Sequence, residues 1–179
     1  MEITCTTCVL RPLVTADAEC LAAHANDRDI WLNLRDRFPH PYSVTDALAY
    51  IAAVTDRTRQ TSFGIVVDGE AAGSISLMPG DDIARHTAEI GYWLGRRFWN
   101  RGVVTDALRA ATGYAFSELG MHRVFAMPFV QNAASRRVLE KAGYVLEGRL
   151  LHSAVKAGAL LDQWLYATCS PALRASFAN

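Results

Sequence analysis

Apolar and polar positions follow two periods along this chain, and stretches of one period take turns with stretches of the other. Helical spacing runs from Thr15 through Leu21 toward Asn26, and again from Ser43 to Thr58. Thr15 and Ser43 are placed as N-caps, because a hydroxyl there accepts from the open amides of a first helical turn. The third helical stripe carries Val104, Leu108, Ala111, Ala115 and Leu119, with Gly120 placed to end it. A fourth helix, "AASRRVLEKA", is capped by Asn132 and ended by Gly143. Strand signals fill the gaps. "CVLRPL" reads as the first strand, and "SFGIVV" and "AAGSISL" flank Asp68-Gly69 as a hairpin, since both centres of a type I′ turn need positive φ. "TAEIGYWL" is the fourth strand and "HRVFAMP" the next; "YVLEGRLL" and "LLDQWLYA" pair around Ala157-Gly158. Pro-broken "RDRFPHPYS" and "PGDDIARH" are loops. Without repeats, low-complexity tracts or linkers, residues 1–179 read as one mixed α/β domain.

Composition narrows what such a domain does. Its 179 residues suffice for a core without disulfide or metal staples. Eighteen basic residues balance 18 acidic ones, so no net charge draws the chain to nucleic acid or a membrane surface, and any positive patch is local. No apolar run is long enough for a membrane span and "MEITCTTCVL" lacks signal-peptide character, which makes the cytoplasm the expected location. Cys5, Cys8, Cys20 and His24 have spacing reminiscent of a zinc series, but there is no second C-x-x-C and a packed helix face accounts for Cys20 and His24; no metal is expected.

The local positive patch is "RRFWNRG", residues 96–102, between a strand and a good helix. A helix N-terminus offers open amides and the positive end of a dipole, and arginines add charge-assisted hydrogen bonds, so the turn suits a phosphate. A solvated arginine face is the plain alternative, and both readings stand on physics alone. Neither G-x-G-x-x-G nor G-x-x-x-x-G-K-[ST] is present, which removes the dinucleotide and P-loop readings.

"AEIGYWLGRRFWNRGVVTDAL", "FVQNAASRRVLEKAGY" and "EGRLL…LLDQWLYA", with "LRPL" and "FPHPYS" before them, resemble the GNAT N-acetyltransferase superfamily across nearly the whole chain. Within it they resemble the branch of ribosomal-protein N-terminal (RimJ/RimL-type) acetyltransferases. The resemblance implies an α/β fold of the α+β type: a strongly bent mixed, mainly antiparallel sheet, split by a bulge in the fourth strand and flanked by helices, with acetyl-CoA as co-substrate. Trp93, Leu94 and Gly95 would offer backbone groups to the pantetheine arm. Arg97, Asn100, Arg101, Gly102, Val103, Val104 and Thr105 would surround the pyrophosphate, and Asn132 would reach the CoA arm. The chain departs from the family pattern at Asn100, usually glycine, and at Val104, usually glycine or alanine. Asn is the side chain that best tolerates positive φ, so the turn survives the first change. A β-branched Val104 narrows the approach while its amide still donates.

Acetyl transfer needs a neutral amine, a stabilised oxyanion and a protonated leaving thiolate. About 10% of an α-amine is neutral at pH 7, against about 0.04% of a lysine. Glu89 resembles in position the glutamate base of histone-type members of the superfamily; the alternative is that it orients a neighbour or the amine. Tyr92 falls on the opposite strand face by alternation, so it joins Glu89 only if the bulge re-aims one of them. A family tyrosine acid seven residues after the capping Asn is replaced by Leu139. Ser135, three residues after Asn132, is the branch's hydroxyl donor, or else a plain capping residue. A backbone amide near Leu94 would meet the oxyanion. Trp31, Arg35, Asp36, Tyr42 and Asp162 are the expected acceptor contacts. The expected acceptor is a protein or peptide α-amine; the alternatives are a small amine such as a polyamine, amino acid or antibiotic, and a non-catalytic CoA-binding module. Either a monomer or a homodimer is compatible with the sequence.

Overall fold

A computed structural model describes residues 1–55 and 59–171. The strands are β1 (Ile3–Thr4), β2 (Val9–Arg11), β3 (Ser62–Val67), β4 (Glu70–Pro79), β5 (Thr87–Leu94), β6 (Arg123–Ala126), β7 (Val145–Lys156) and β8 (Ala159–Cys169). They form one eight-stranded sheet in the order β1-β2-β3-β4-β5-β6-β8-β7. The described pairings are antiparallel except that of β5 with β6, where Thr87, Ala88 and Glu89 face Arg123, Val124 and Phe125 in parallel register. A parallel pair needs a crossover, and the helix α4 (Val103–Ser117) supplies it. The other helices are α1 (Ala18–Ala25), α2 (Arg28–Trp31), α3 (Val44–Thr55) and α5 (Ala133–Lys141). The chain forms two compact units: Met1–Ser76 with Tyr92–Ala107, and Leu77–Gly91 with everything from Leu108 onward.

In the first unit, α1 and α3 bury Leu21, Ala22, Ala25, Ala47, Ile51 and Val54 together with Leu13 and Ala71, and Phe38, Tyr50 and Trp93 pack against this cluster. Ser43 caps α3 as its sequence suggests. The Ser43 hydroxyl accepts from the Asp46 amide at 3.3 Å, and the Asp46 carboxylate accepts from the Ser43 amide at 2.8 Å, a reciprocal capping box. The expected end of this helix, residues 56–58, lies outside the described residues. Asp68 (φ 52°) and Gly69 (φ 87°) both take positive φ, as a two-residue hairpin turn demands.

Three expectations at the N-terminal end are corrected. The strand read as the first is β2, because the two-residue β1 precedes it and pairs through Ile3 with Leu10 and Thr4 with Val9; the strand expected fourth is therefore β5. Thr15 is not a cap. It opens a 3-10 turn whose N-cap is Val14, and the carboxylate of Asp17 accepts the Val14 amide at 2.8 Å. Asp17 is buried yet charged, because the Arg11 guanidinium donates to both its oxygens at 2.7 Å. Burial works to raise its carboxyl pKa, but the hydrogen bonds from Arg11 and Val14 outweigh it and hold the group below the usual carboxylate range.

In the second unit, α4 presents Leu108, Ala111 and Ala115 as a buried stripe that Leu119 continues just past its end, and α5 adds Leu139, which is fully buried. The Thr112 and Tyr144 hydroxyls share a buried hydrogen bond of 2.6 Å. Gly120, Gly143 and the Ala157-Gly158 turn all adopt positive φ at the ends the sequence marks for them. Among the described residues, no helix is long and apolar enough to cross a membrane.

Candidate active site

The turn from β5 into α4 belongs to the first unit. Gly95 leaves the strand with its amide donating to the Ala72 carbonyl at 2.8 Å. Arg96–Phe98 make one 3-10 turn, and Trp99 folds back so that its indole Nε1 donates to the Leu94 carbonyl at 2.7 Å. Two of the backbone groups expected to face the pantetheine arm are thus engaged inside the protein, the Gly95 amide by Ala72 of β4 and the Leu94 carbonyl by Trp99 of the turn. Asn100 stands at φ 61° and Gly102 at φ 79°, so the asparagine adopts the left-handed conformation its side chain tolerates. The amide of Asp106 is the first to bond back along α4, to the Gly102 carbonyl at 3.1 Å, which leaves Val103, Val104 and Thr105 ahead of the helical ladder. Val103 is buried while Val104 and Thr105 are half-buried. Asp106 complements the helix dipole and accepts from the Thr7 hydroxyl at 2.9 Å.

The turn arginines are all held by acids. Arg96 donates to Asp27 at 2.7 and 2.8 Å and to Asp29 at 2.5 Å. Arg97 pairs with Glu70, and Arg101 with Asp68 at 3.1 Å. The Arg97 and Arg101 guanidinium groups also lie over the Phe98 ring, 4.6 and 5.5 Å from its centroid. Behind the turn, His24 packs edge-on against Phe98, and a Cβ on Gly95 would come within 2.8 Å of its ring. Burial and the nearby Arg97 hold the His24 imidazole below its ordinary pKa, so its Nε2–H donates to the Glu70 carboxylate at 2.9 Å. Sequence reasoning missed Asp27, Asp29, Asp68, Glu70 and His24 as neighbours of the arginines. Only the Asp68-Gly69-Glu70 hairpin tip offers a local signal, and nothing in it names a partner some 30 residues away.

In the second unit, Glu89 is half-buried on β5 between buried Ala88 and Ile90, paired in register with Phe125. Asn132 caps α5 as expected, its side-chain oxygen accepting the Ser135 amide at 3.0 Å. Ser135 stands half-buried on the first turn of α5. Asp162 accepts from Arg149 Nη2 at 2.6 Å and from the His152 amide at 2.7 Å, and these contacts, the amide first, hold its carboxyl below the usual range. It anchors the β7 irregularity around His152, whose φ is 50°.

The remaining acceptor positions lie in the first unit. Trp31 stacks on His40 with centroids 5.5 Å apart, and Arg35 and Asp36 are exposed. Tyr42 is buried against Phe38, 4.7 Å between centroids, and burial pushes its hydroxyl up to about 12. Tyr92 and Trp93 are half-buried on β5. Among the described residues, no group of three or more His, Cys, Asp or Glu side chains is arranged to hold a metal ion.

Residues 8–145 match the acetyltransferase (GNAT) domain. The probable N-acetyltransferase YjcK of Bacillus subtilis is 33% identical over 172 residues, covering 92% of this chain and 95% of YjcK. The putative ribosomal N-acetyltransferase YdaF of the same organism is 42% identical over 86 residues, a match that spans 48% of this chain and only 46% of YdaF. Among solved structures, RimL, a ribosomal L7/L12 alpha-N-protein acetyltransferase in complex with coenzyme A, shares the fold with a TM-score of 0.83 at 23% identity, over 94% of this chain and 98% of RimL. An eight-stranded mixed sheet, a left-handed turn feeding the start of α4, and a family match over most of the sequence lead to one assignment: the chain belongs to the GNAT family of acetyl-CoA-dependent N-acetyltransferases.

Proposed function

We propose that this protein moves the acetyl group of acetyl-CoA to the α-amine of a protein or peptide N-terminus, in the cytoplasm. The observation that carries the cofactor half is the β5–α4 turn, where Asn100 and Gly102 take positive φ and the amides of Val103, Val104 and Thr105 precede the first ladder bond of α4. A diphosphate fits such a helix start, with Arg97 and Arg101 adding charge. Asn132 would donate to the CoA arm through its NH2 end. Acetyl-CoA supplies an activated thioester. Glu89 takes the proton that the amine sheds as the N–C bond forms and returns it to solvent, while the Ser135 hydroxyl donates a hydrogen bond to the sulfur as the C–S bond breaks and the thiolate takes its proton from solvent. A protein N-terminus as acceptor is supported by the putative ribosomal N-acetyltransferase among the relatives and by the larger neutral fraction of an α-amine at neutral pH. Trp31, Arg35 and Asp36 are the exposed or half-buried side chains offered to that acceptor; Tyr42 and Asp162 act by holding their loops in place.

The test is free-thiol release from acetyl-CoA with a panel of N-terminal peptides and small amines, for wild type, Glu89→Gln and Ser135→Ala. Peptide-dependent release that falls at least about tenfold in Glu89→Gln, with a smaller loss in Ser135→Ala, is expected. Release with a polyamine or amino acid but with no peptide would overturn the acceptor, and saturable CoA binding without release would overturn the chemistry.

A further inference from the structure

Arg97 and Arg101 are the two cations assigned above to the pyrophosphate, and each already carries a carboxylate. Their partners, Glu70 and Asp68, flank Gly69 at the tip of the β3–β4 hairpin, so a single tight turn delivers both negative charges to the cradle. Two arginines against two acids leave no net charge there, and His24, neutral where it donates to Glu70, adds none. An incoming diphosphate therefore meets helix amides and a pair of neutralised arginines rather than a positive pocket. The arginine side chains themselves are half-exposed, at 59% and 47%, and both lie over the Phe98 ring, which is 2% exposed. That ring is a fixed platform. Contact with it is a second support for the guanidinium groups beside the carboxylates.

We propose that Asp68 and Glu70 are internal stand-ins for the pyrophosphate: they hold Arg97 and Arg101 in place over Phe98 until the phosphates of CoA displace them, and in doing so they set the affinity of the site. The inference rests on the reading of the β5–α4 turn as the pyrophosphate cradle. Displacement exchanges one set of ion pairs for another, so the acids lower affinity for anions generally. A ligand that brings further contacts through its pantetheine arm overcomes this, whereas an isolated phosphate does not. The exchange involves exposed pairs, each of modest strength.

The experiment is calorimetric titration of the intact protein and of Asp68→Asn, Glu70→Gln and the double variant with CoA and, separately, with pantetheine, which lacks the phosphates. Asparagine tolerates the positive φ of residue 68, and glutamine keeps an acceptor for His24, so both variants retain the fold. The expected result is CoA binding about three- to fivefold tighter in each single variant, with a steeper dependence on salt and no change for pantetheine. CoA binding that is unchanged or weaker in both single variants overturns the proposal, as does equal tightening for pantetheine. Absence of CoA binding by the wild-type protein is a different failure, which removes the cradle reading itself and the proposal with it.

Discussion

At the scale of single residues, charge placement matters more than charge number. Asp17 is 7% exposed, and its carboxylate joins β2, the Val14 cap and the start of α1 through Arg11. Replacing it with asparagine leaves Arg11 facing a weaker acceptor and is expected to destabilise the fold by about 1.5–3 kcal/mol in urea denaturation, the range for hydrogen bonds to charged groups. The sign of the pH dependence follows from a depressed folded-state pKa. The unfolded chain binds the proton first as acid is added, so the stabilisation is intact above about pH 4 and is lost as pH falls through the folded value. Asp17→Asn should therefore flatten the acid limb of the stability profile. None of this is legible at Thr15-Ala16-Asp17. A hydroxyl at a helix start reads as a cap, but here the turn begins one residue earlier, at Val14, and the Asp17 carboxylate takes the Val14 amide while pairing with an arginine on the preceding strand.

At the scale of elements, a missing side chain fixes how closely strands approach. A Cβ on Gly73 would meet the Trp93 carbonyl oxygen and come within 2.9 Å of the Leu94 Cα, which are backbone atoms that cannot swing aside. Gly73→Ala is expected to cost about 1–3 kcal/mol, seen as a lower Tm. Because the displaced backbone leads directly into the turn at Gly95, weaker CoA binding in calorimetry should accompany the loss.

The elements themselves were largely written in the sequence. Asp68-Gly69, the start of α4 at Val103 and the Asn132 cap of α5 each rest on a local rule about φ or an open amide, and local rules survive folding. What the sequence did not disclose is who faces whom. Leu139 stands where a family acid is expected and is simply core; Tyr42, read as an acceptor contact, is buried against Phe38, and Phe38 in turn meets Trp93, 55 residues further along the chain. The acids on Arg96, Arg97 and Arg101 are 27 to 69 residues away in the chain, a separation at which a local pattern carries no information.

At the scale of the whole molecule, the two units are interleaved along the sequence. The first is completed only by Tyr92–Ala107, and the second takes Leu77–Gly91 before resuming at Leu108. The sheet order brings β6 beside β5 through a parallel pairing and sends β8 between β6 and β7, so many pairings join distant residues. Such topology slows folding, because loop closure is costly before the contacts reward it. Fragments 1–76 and 77–179, expressed separately, should each lack a cooperative thermal transition and regain one on mixing only if they assemble; independent folding of either would contradict the interleaving.

The same arrangement bears on how the protein is made. With the strand that finishes the first unit encoded after a segment of the second, a ribosome must release residues past Ala107 before the earlier half has its last strand. During that interval the cluster of α1 and α3 lacks the Trp93 that packs against it, and its apolar side chains stay accessible until synthesis has run beyond the chain's midpoint.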